Sequence, residues 1–379
     1  MALGWSLVVL CVAGIYAWLM ESLRKGWDAL PLWKPPRPFV PETKVSILVP
    51  VRNEEAHLES CLLSLIQQDY PAALREIIVI DDFSEDGTAA IARDFAGQSL
   101  RLIRMAEIWP GGAVLSSKKK ALQAGIQAAK GKLIVTFDGD SWAPSTWLST
   151  MVSYYEHHHP VLLAGPVLFS TGDRLLAQFQ ALDMCGMTGV SAAGISRGWF
   201  HLGNGANLCY EKEAFLKTGG FEGTEHLASG DDVFTMQKMA RTFPGRLAYV
   251  KSPEAVVQSA PAVDWKAFWD QRLRWGGKAS HYKEWQLTAV AALTLVLCWC
   301  VILSFFLIPW VGAWAFLFGF GIKSIADYRL LSRVTVFFRS AALLLPFWKA
   351  QLFHVLYIVG AGTASVFLKK FYWKGRKLR

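Results

Sequence analysis

The sequence predicts an α/β domain with a parallel, doubly wound sheet, flanked on both sides by apolar helices that span a membrane. Two observations carry this prediction. Short β-branched runs alternate with helical stretches through the first part of the chain, which is the pattern of a parallel sheet covered by helices. In addition, 53% of the 379 residues are hydrophobic and only 18% are charged, a composition that excludes intrinsic disorder.

The alternation can be followed element by element between residues 45 and 137. The predicted strands are apolar and cover residues 45–49, 76–80, 100–103 and 132–137. The predicted helices fill the gaps between them and cover residues 57–68, 88–95 and 118–129. In a sheet of this kind, ligands bind beyond the carboxyl ends of the strands, so we expect the functional residues there.

The net charge of +9 is unevenly distributed along the chain. Residues 40–260 carry nineteen basic and twenty-four acidic residues, whereas residues 1–39 carry four against two and residues 261–379 carry sixteen against four. A nucleic-acid-binding protein would carry its basic residues on the folded domain itself. The acidic middle therefore argues against nucleic acid as a partner, and the basic ends are typical of segments beside a membrane.

An apolar run at residues 3–20 has about the length of one bilayer span. No basic segment precedes it and no small-residue cleavage site follows it, so we interpret it as an anchor rather than a cleaved signal peptide. Arg24 and Lys25 follow directly, and because basic residues favour the cytoplasmic side, the N-terminus is expected outside. The sequence thus predicts a transmembrane helix over 1–23 and a proline-rich linker over 24–43.

The C-terminal third contains further apolar runs, of which residues 287–308 are the strongest. The tail, residues 369–379, carries six positive charges and is expected in the cytoplasm. An even number of spans, two or four, must then lie within 286–368, and the run lengths favour four. The remaining segments are a cytoplasmic domain over 44–260 at the inner membrane and interfacial helices over 261–285.

Two acidic clusters follow predicted strands. Asp81 and Asp82 come after the second strand, where carboxylates can receive the polar groups of a base or ribose, although an acidic turn with a helix cap explains them equally well. Asp138 and Asp140 flank Gly139 after the fourth strand, and carboxylates are oxygen ligands suited to Mg²⁺ or Mn²⁺. A metal held there can bridge the two phosphates of a nucleotide.

Asp231 and Asp232 form a third acidic pair. A carboxylate beside a metal–diphosphate site can act as general base for an attacking hydroxyl. Taken alone, the pair is more simply the acidic first turn of a surface helix. In the same way, the three histidines at 157–159 are more simply a solvated helix end than a metal site, and Lys119 and Lys120 are expected to be solvated.

Gln271, Arg272, Leu273, Arg274 and Trp275 lie in a tryptophan-rich stretch before the strongest C-terminal apolar run. An arginine there can neutralise a diphosphate, and a tryptophan can stack on the apolar face of a sugar ring. An interfacial amphipathic helix with basic anchors explains the same residues. The two interpretations are compatible.

Taken in order, these segments resemble the inverting family 2 glycosyltransferases with a GT-A fold, and specifically their membrane-embedded branch. The resemblance covers roughly residues 40–280. The matching segments are Pro50-Val51-Arg52-Asn53-Glu54, Asp81-Asp82-x-Ser84, Lys118 with Ala121-Leu122, Asp138-x-Asp140, Gly219-Gly220-Phe221, Asp231-Asp232 and Gln271-x-x-Arg274-Trp275. The last segment is typical of polysaccharide synthases and of their non-processive relatives.

The resemblance implies a role for each segment. The nucleotide would be bound by Pro50, Arg52, Glu54, Asp81, Asp82, Lys118 and Asp138. A divalent metal, Mg²⁺ or Mn²⁺, would be held by Asp138 and Asp140. The diphosphate and the acceptor would be contacted by Asp231, Gln271, Arg272, Arg274 and Trp275. Asp232 matches the general base of the family, although the family motif is usually Glu-Asp where this chain has two aspartates.

The implied reaction is a metal-dependent, inverting transfer of a sugar from a nucleotide sugar, with UDP as the expected nucleotide. The acceptor would be a lipid or a glycan at the cytoplasmic face of the membrane. The short chain and the single N-terminal span favour one transfer to each acceptor. Two alternatives stay open: a processive synthase that extends and extrudes a polysaccharide, and an inactive membrane scaffold. The sequence indicates neither the donor sugar nor an oligomeric state.

Overall fold

The computed structural model describes residues 2–97, 99–111, 118–225, 227, 229–367, 371–373 and 376–378. The chain divides into two compact units. The first unit comprises Met1–Leu30, Thr171–Phe200 and Ala262–Phe371, and the second comprises Pro31–Ser170, His201–Pro261 and Tyr372–Arg379. The sequence placed residues 171–200 inside the 44–260 domain. The structure groups them with the apolar helices instead, because the helix that they form packs against two of those helices.

The second unit is built around a mixed sheet. Its strands, with those of a smaller sheet, are β1 (Val45–Val51), β2 (Arg75–Asp81), β3 (Leu100–Arg104), β4 (Leu133–Thr136), β5 (Ser141–Trp142), β6 (Leu162–Ala164), β7 (Val167–Phe169), β8 (Leu208–Glu211), β9 (Leu247–Tyr249) and β10 (Val257–Ser259). The large sheet has the order β3-β2-β1-β4-β8-β6-β9, and the small one has the order β5-β10-β7.

Strand direction agrees with the prediction only in part. β1 pairs in parallel with β2 and with β4, and β2 pairs in parallel with β3. β8 runs antiparallel to both β4 and β6, so the prediction of a parallel sheet is confirmed for the first four strands and wrong for β8. Because β1 lies between β2 and β4 and runs parallel to both, the loops that follow these three strands leave the sheet at the same edge.

The helices of the second unit cover this sheet, and those of the first unit pack on one another. The second unit contains α2 (Leu58–Ile66), α3 (Thr88–Asp94), α4 (Met105–Ile108), α5 (Lys118–Ala128), α6 (Trp147–His158), α8 (Lys212–Lys217) and α9 (Asp231–Thr242). The first unit contains α1 (Ala2–Ala29), α7 (Leu175–Ser196), α10 (Trp265–Gly276), α11 (Trp285–Phe306), α12 (Ile308–Val311), α13 (Trp314–Phe337) and α14 (Phe347–Phe367). Every element predicted between residues 45 and 137 ends within two residues of its observed end.

The central strands are buried on both faces, which explains their continuous apolar runs. Ile47 and Val49 on one face of β1 belong to a core cluster with side chains of α2 and α6. On the opposite face, Leu48 of β1 and Ile80 of β2 approach Gly125 of α5. Fully burying an aliphatic side chain of this size contributes about 1.5–3 kcal/mol relative to leaving it exposed.

In the first unit, α1 and α13 run parallel to each other. Val9 approaches Gly319 near their N-terminal ends, and the Tyr16 hydroxyl donates to Asp327 at 2.6 Å further along. Among the described residues, two helices, Leu3–Ala29 and Trp285–Phe306, are long and apolar enough to cross a bilayer. Their length and composition agree with the predicted membrane segments at the N-terminus and after residue 286.

The end of α1 and the segment after it differ from the predicted linker over 24–43. The helix continues to Ala29, where Arg24 pairs with Glu21 and Asp28 at helical spacing. Trp33 then ties the extended segment to the second unit: its backbone N–H donates to the Lys251 carbonyl at 2.8 Å, and its indole N–H donates to a serine hydroxyl at 3.0 Å. The first part of the predicted linker is thus helical, and the rest is held to the second unit by the hydrogen bonds of Trp33.

Residues 286–368 form three long helices, α11, α13 and α14, where the sequence predicted two or four spans. Of these three, α11 meets the length and apolarity expected of a span in the part of the chain that the structure describes. The number of spans stays a prediction. The basic tail, 369–379, lies partly outside the described residues, and its described parts are the paired strands β11 (Phe371–Trp373) and β12 (Arg376–Leu378).

Candidate active site

Arg52 holds the loop that follows β1 against the loop that follows β2. Its buried guanidinium donates to the backbone carbonyls of Asp82 and Phe83 at 2.9 and 2.5 Å and pairs with Glu85 at 3.0 Å. A single arginine can make all three contacts because its guanidinium group carries five N–H donors. Arg52, which the resemblance assigned to the nucleotide, therefore shapes the loop that carries the Asp81–Asp82 pair.

Further hydrogen bonds join the same two loops. The backbone N–H of Asn53 donates to the Ser84 hydroxyl at 3.1 Å, and its side-chain oxygen accepts from the backbone of Glu85 at 2.9 Å. The backbone N–H of Glu54 donates to the Thr88 hydroxyl at 2.7 Å. Asn53 has a φ of 49°, a left-handed conformation that asparagine tolerates better than most residues.

The aspartates at the end of β2 are almost completely buried. Asp81 accepts a hydrogen bond from the backbone of Ser84 at 3.1 Å and lies 3.8 Å from the guanidinium of Arg104. The backbone carbonyl of Asp82 accepts from the Arg52 guanidinium, and the backbone N–H of Asp82 donates to the Val51 carbonyl at 2.8 Å. Pro50 lies within β1, in register with Ile80 of β2. This cluster is a fixed, polar end to two neighbouring strands.

The Asp138–Asp140 turn follows β4 and packs directly on β1. A Cβ atom on Gly139 would lie 2.7 Å from a Val51 methyl group, so only glycine allows this approach. Asp140 lies 3.3 Å from the hydroxyl of Ser259, and its carbonyl accepts from the backbone of Ala260 at 3.0 Å. The small sheet thus fixes the far side of the turn, and β1 fixes the near side.

Lys118, the first residue of α5, joins two of the predicted acidic clusters. Its ammonium lies 2.6 Å from Asp138 and 3.3 Å from Asp231. A Cβ atom on Gly205 would lie 3.1 Å from the ammonium and 3.4 Å from the Asp231 carboxylate, so a side chain there would crowd this pair. Residues separated by more than a hundred positions in the sequence therefore meet at one charged centre.

Burial disfavours the charged form of Lys118, but the carboxylates of Asp138 and Asp231 outweigh burial and raise the pKa of Lys118 above its ordinary value. The lysine is therefore a permanent cation at physiological pH. A fixed positive charge beside a carboxylate pair can neutralise an incoming diphosphate.

Asp231 and Asp232 are the first two residues of α9. The Asp231 side chain is about 10% exposed and faces Lys118, whereas an oxygen of Asp232 accepts from the backbone of Val233 at 2.7 Å. Gly230 precedes them with a φ of 87°. The N-terminal end of a helix favours negative charge, and two acidic side chains suit this position.

The expectation that Lys119 is solvated is wrong. Its side chain is 2% exposed, and its ammonium donates to the carbonyls of Thr224 and Leu227 at 2.6 and 3.0 Å. It also lies 5.3 Å from the ring of Phe234 in α9. Lys119 thus ties α5 to the loop that precedes Asp231. The histidines at 157–159, in contrast, are exposed as expected.

The donor set of the Asp138–Asp140 turn suits a divalent cation, because it consists of carboxylate oxygens. Among the described residues, no group of three or more histidine, cysteine, aspartate or glutamate side chains gathers into a complete metal site. Asp138 and Asp140 would therefore supply two ligands, and a diphosphate would have to supply others. The residues fit a metal that is shared with a nucleotide rather than one that the chain holds alone.

The segment Gln271–Trp275 lies in α10, in the first unit. Arg272 is 2% exposed and pairs with Asp183 of α7 at 2.8 Å. Its guanidinium also lies 4.3 Å from the ring of Trp275. Gln271, Arg274 and Trp275 are partly exposed. Arg272 is committed to an ion pair within its own unit, and the predicted contacts of the segment with acceptor and diphosphate stay predictions.

The structure therefore brings together Lys118, Asp138 and Asp231, with Asp232 as the next residue on α9. Three contacts were missed in the sequence: Ser259, Arg104 and the burial of Lys119. None of them offered a signal, since each depends on strand order or on a loop distant in sequence. For Gly205 there was a signal, because residues 201–205 (His-Leu-Gly-Asn-Gly) precede Gly219-Gly220-Phe221 as the acceptor-side loop of the family does.

Sequence models of protein families match most of the chain. The model described as "Glycosyl transferase family 2" matches residues 46–182. The model described as "Glycosyl transferase family group 2" matches residues 133–364, which is more than half of the chain. The chain belongs to the family 2 glycosyltransferases. The resemblance that the motifs indicated is thereby confirmed at the level of the family.

Two curated relatives illustrate the similarity of this glycosyltransferase to other members. It is 26% identical over 257 residues to "Probable glycosyltransferase YdaM" of Bacillus subtilis, covering 65% of this chain and 57% of that protein. It is 32% identical over 128 residues to "Dodecaprenyl-phosphate galacturonate synthase" of Rhizobium johnstonii, covering 33% of this chain and 36% of that protein. In both cases the matched segment is less than two thirds of the relative's length.

The fold is also similar to that of a solved glycosyltransferase. The structure titled "Mannosyltransferase PcManGT from Pyrobaculum calidifontis in complex with GDP-Man and Mn2+" matches with a TM-score of 0.60 and 20% sequence identity. The match covers 97% of this chain and 98% of that one. The GT-A fold class predicted from the sequence is confirmed by this likeness.

Proposed function

We propose that this glycosyltransferase transfers a sugar from a nucleotide sugar to a lipid or glycan acceptor at the cytoplasmic face of the inner membrane. The observation that carries the proposal is the charged centre at Lys118, which joins Asp138 of the strand-end turn to Asp231 of α9. In an enzyme of this family, such a centre would receive a diphosphate and stabilise it as it leaves.

The donor would lie across the edge formed by the ends of β1, β2 and β4. Asp81 and Asp82 offer carboxylates there, and Arg52 holds their loop in one conformation. A preorganised loop lowers the entropy that donor binding must overcome. We expect UDP as the nucleotide; GDP is its natural competitor in a test, because the mannosyltransferase of similar fold was solved with GDP-Man.

A divalent cation, Mg²⁺ or Mn²⁺, would be held by Asp138 and Asp140 and would supply Lewis-acid stabilisation of the diphosphate. Lys118 contributes a second positive charge beside it. Asp140 would keep its orientation through the hydroxyl of Ser259 and the backbone of Ala260.

Asp232 would act as the general base. Its carboxylate takes the proton from an acceptor hydroxyl, the acceptor oxygen forms a bond to the anomeric carbon, and the bond from that carbon to the nucleotide diphosphate breaks. Attack opposite the leaving group inverts the configuration. The nucleotide leaves as the diphosphate, whose charge Lys118 helps to balance.

The membrane assignment is supported by the apolar helices α1 and α11, which have the length of bilayer spans. A lipid acceptor is supported by one relative, which is a dodecaprenyl-phosphate galacturonate synthase. An acceptor that resides in the bilayer would be reached most easily by an enzyme anchored in the same bilayer. We therefore place lipid-linked acceptors first in the test.

The first experiment tests the general base with Asp232→Asn. General-base catalysis typically contributes about 10²–10⁴-fold, so we expect kcat to fall by that order while nucleotide binding changes less than about threefold. Transfer is measured as release of nucleotide diphosphate, and binding as the rise in Tm with UDP and Mn²⁺. The matched control is Asp94→Asn at the exposed end of α3, which should transfer normally. Near-normal transfer by Asp232→Asn would refute the assignment.

The second experiment identifies the substrates. The purified full chain is incubated with UDP- and GDP-sugars, Mg²⁺ or Mn²⁺ and a polyprenyl phosphate or glycolipid, and the labelled product is separated by size. A single added sugar is the expected product. A ladder or a high polymer would replace this proposal with the processive synthase, and no turnover of any donor would favour the scaffold.

A further inference from the structure

The first unit contains a cleft of about 400 Å³ lined by arginines. Its walls are formed by Arg24 of α1 and by one face of α13, where the lining residues are Tyr328, Arg329, Ser332, Arg333 and Val336. Positions 329, 332, 333 and 336 recur at helical spacing and so lie on one face of α13. The cleft is distant in sequence from the acidic clusters of the second unit, and the proposed reaction uses none of its residues.

The arginines of the cleft are held in place by two carboxylates of α1. Glu21 lies 2.6 Å from Arg24 and 3.3 Å from Arg329. Asp28 contacts Arg24 and lies 4.0 Å from Arg333. Three guanidiniums share two carboxylates, so the cleft keeps a net positive charge. Because each guanidinium carries five donors, the two carboxylates cannot occupy them all.

Arg329 and Arg333 are the accessible members of this set. Their side chains are 57% and 61% exposed, whereas that of Arg24 is 16% exposed. Two exposed guanidiniums one helical turn apart suit the oxygens of a phosphate group, which arginine binds in a bidentate manner. The chemistry of the cleft therefore favours a phosphate over a cation or a neutral ligand.

The position of the cleft points to a phosphate that is attached to a lipid. The α1–α13 pair is parallel, so Arg24 of α1 and Arg329 of α13 lie at the same level, where both contact Glu21, and Arg24 follows the long apolar stretch of α1. Aromatic rings lie at the same end: Trp27 meets Phe337 edge-on at 5.3 Å, and Trp18 stacks with Trp199 at 6.4 Å. Tryptophan and arginine together are typical of the headgroup level of a bilayer.

We infer that the cleft between α1 and α13 binds the phosphate group of an anionic membrane lipid in the cytoplasmic leaflet. The inference rests on the proposed membrane insertion of α1 and α11. Basic pockets between membrane helices on the cytoplasmic side are suited to such headgroups, and exposed Val336 and Tyr328 give an acyl or glycerol portion an apolar surface. A bound lipid would fix the α1–α13 pair at one depth in the bilayer.

The test compares Arg329→Gln/Arg333→Gln with the natural chain. The full chain in neutral detergent is titrated with phosphatidylglycerol, and retained lipid is counted by native mass spectrometry. Each basic side chain near anionic lipid contributes on the order of 1 kcal/mol, so we expect roughly tenfold to thirtyfold weaker binding in the double variant. Arg93→Gln/Arg241→Gln removes the same charge from exposed positions of the second unit and should retain lipid normally.

Two further measurements distinguish a lipid phosphate from a soluble phosphate as the ligand of the cleft. Phosphatidylcholine should be retained far less than phosphatidylglycerol, and inorganic phosphate at millimolar concentration should not displace the lipid. Equal retention by the double variant and the natural chain would overturn the site. Displacement by inorganic phosphate would overturn the lipid assignment in favour of a soluble anion.

The same samples distinguish this inference from the proposed function. Alkaline extraction of membranes reports insertion, and release of nucleotide diphosphate reports transfer. We expect the double variant to stay inserted and to keep its transfer activity in detergent. If the natural chain were released by alkaline extraction, the proposed membrane function would fail; if it stayed inserted without selective lipid retention, only the cleft assignment would fail.

Discussion

Lys118 balances two carboxylates that would otherwise repel each other. Its ammonium lies 2.6 Å from Asp138 and 3.3 Å from Asp231. Because these carboxylates come from the β4 turn and from α9, the lysine fixes the separation of two elements as well as neutralising a charge. We therefore expect a change at this position to affect donor binding and the integrity of the site together.

We predict that Lys118→Gln lowers kcat/KM by about tenfold to a hundredfold, since it removes a charged hydrogen bond and leaves two carboxylates facing each other. The raised pKa of Lys118 means that its stabilising charge is fully present below the unfolded value, near 10.4, and is lost only as the pH rises through the higher folded value. The ratio of natural to variant kcat/KM should therefore be constant from pH 6 to 9.

The control for this prediction is Lys120→Gln, on the same helix. Lys120 lies 4.0 Å from the ring of Trp109. Lys120→Gln should lower kcat/KM by less than about fivefold. A ratio of natural to variant kcat/KM that falls between pH 6 and 9 would contradict the assignment of a permanently charged lysine.

Sequence reasoning predicted Asp81–Asp82 and Asp138–Asp140 because they follow recognisable strands, and Asp231–Asp232 because it resembles a family motif. It assigned Lys118 to the nucleotide by its motif position, but it wrongly expected the adjacent Lys119 to be solvated. The difference arises from the segment around Thr224 and Leu227, a hundred residues later, whose carbonyls cover Lys119. Burial of a lysine is expensive unless its ammonium finds such partners, and partners of that kind cannot be read from a local pattern.

At the scale of elements, the most organised part of the site is the junction of the loops after β1 and β2. Arg52 supplies three of its contacts, to Asp82, Phe83 and Glu85. The strands that carry these loops could be predicted to within two residues, because parallel core strands are continuous apolar runs. The reversal of β8 could not, because its four residues show no pattern that distinguishes the two directions.

We predict that Arg52→Lys raises the KM for the donor about tenfold and changes kcat by less than about threefold. A lysine ammonium is a single point and cannot span the two carbonyls and the carboxylate that the guanidinium reaches, so the loop would sample more conformations before the donor binds. Initial rates at varied donor concentration separate KM from kcat.

Arg101→Lys is the matched control for Arg52. Arg101 is exposed and donates to the carbonyl of Ala128 at 2.7 Å, away from the two loops. It should leave both constants within twofold. An unchanged donor KM in Arg52→Lys would show that the loop keeps its shape without the guanidinium.

At the scale of the whole molecule, charge is divided along the chain. The segment 40–260 is acidic and would need a cation before its site could hold a diphosphate, whereas the flanking segments carry the excess of basic residues. The first unit nevertheless buries a polar cluster. Lys323 of α13 lies 2.6 Å from Asp327 and 3.1 Å from both Gln351 and His354 of α14. Ionisable groups inside a helical membrane unit are costly unless they are paired in this way.

This cluster links three helices, because Asp327 also accepts from the Tyr16 hydroxyl of α1 at 2.6 Å. We predict that Asp327→Asn lowers the free energy of unfolding by about 3–5 kcal/mol, since it leaves the Lys323 ammonium buried without its counter-charge. Tyr16→Phe removes one neutral donor to a charged acceptor and should cost about 1.5–3 kcal/mol. Unfolding of the full chain in detergent, followed by loss of helical signal, measures both.

The decisive comparison is the double variant Lys323→Met/Asp327→Leu. Replacing both members of a buried ion pair with apolar residues is often neutral or stabilising, because their desolvation cost disappears with their attraction. We therefore expect the double variant to be at least about 2 kcal/mol more stable than Asp327→Asn. If both were equally destabilised, packing around α13 would be responsible rather than the charge. If Asp327→Asn were as stable as the natural chain, Gln351 and His354 would satisfy the Lys323 ammonium without a counter-charge, and the ion pair would not stabilise the cluster.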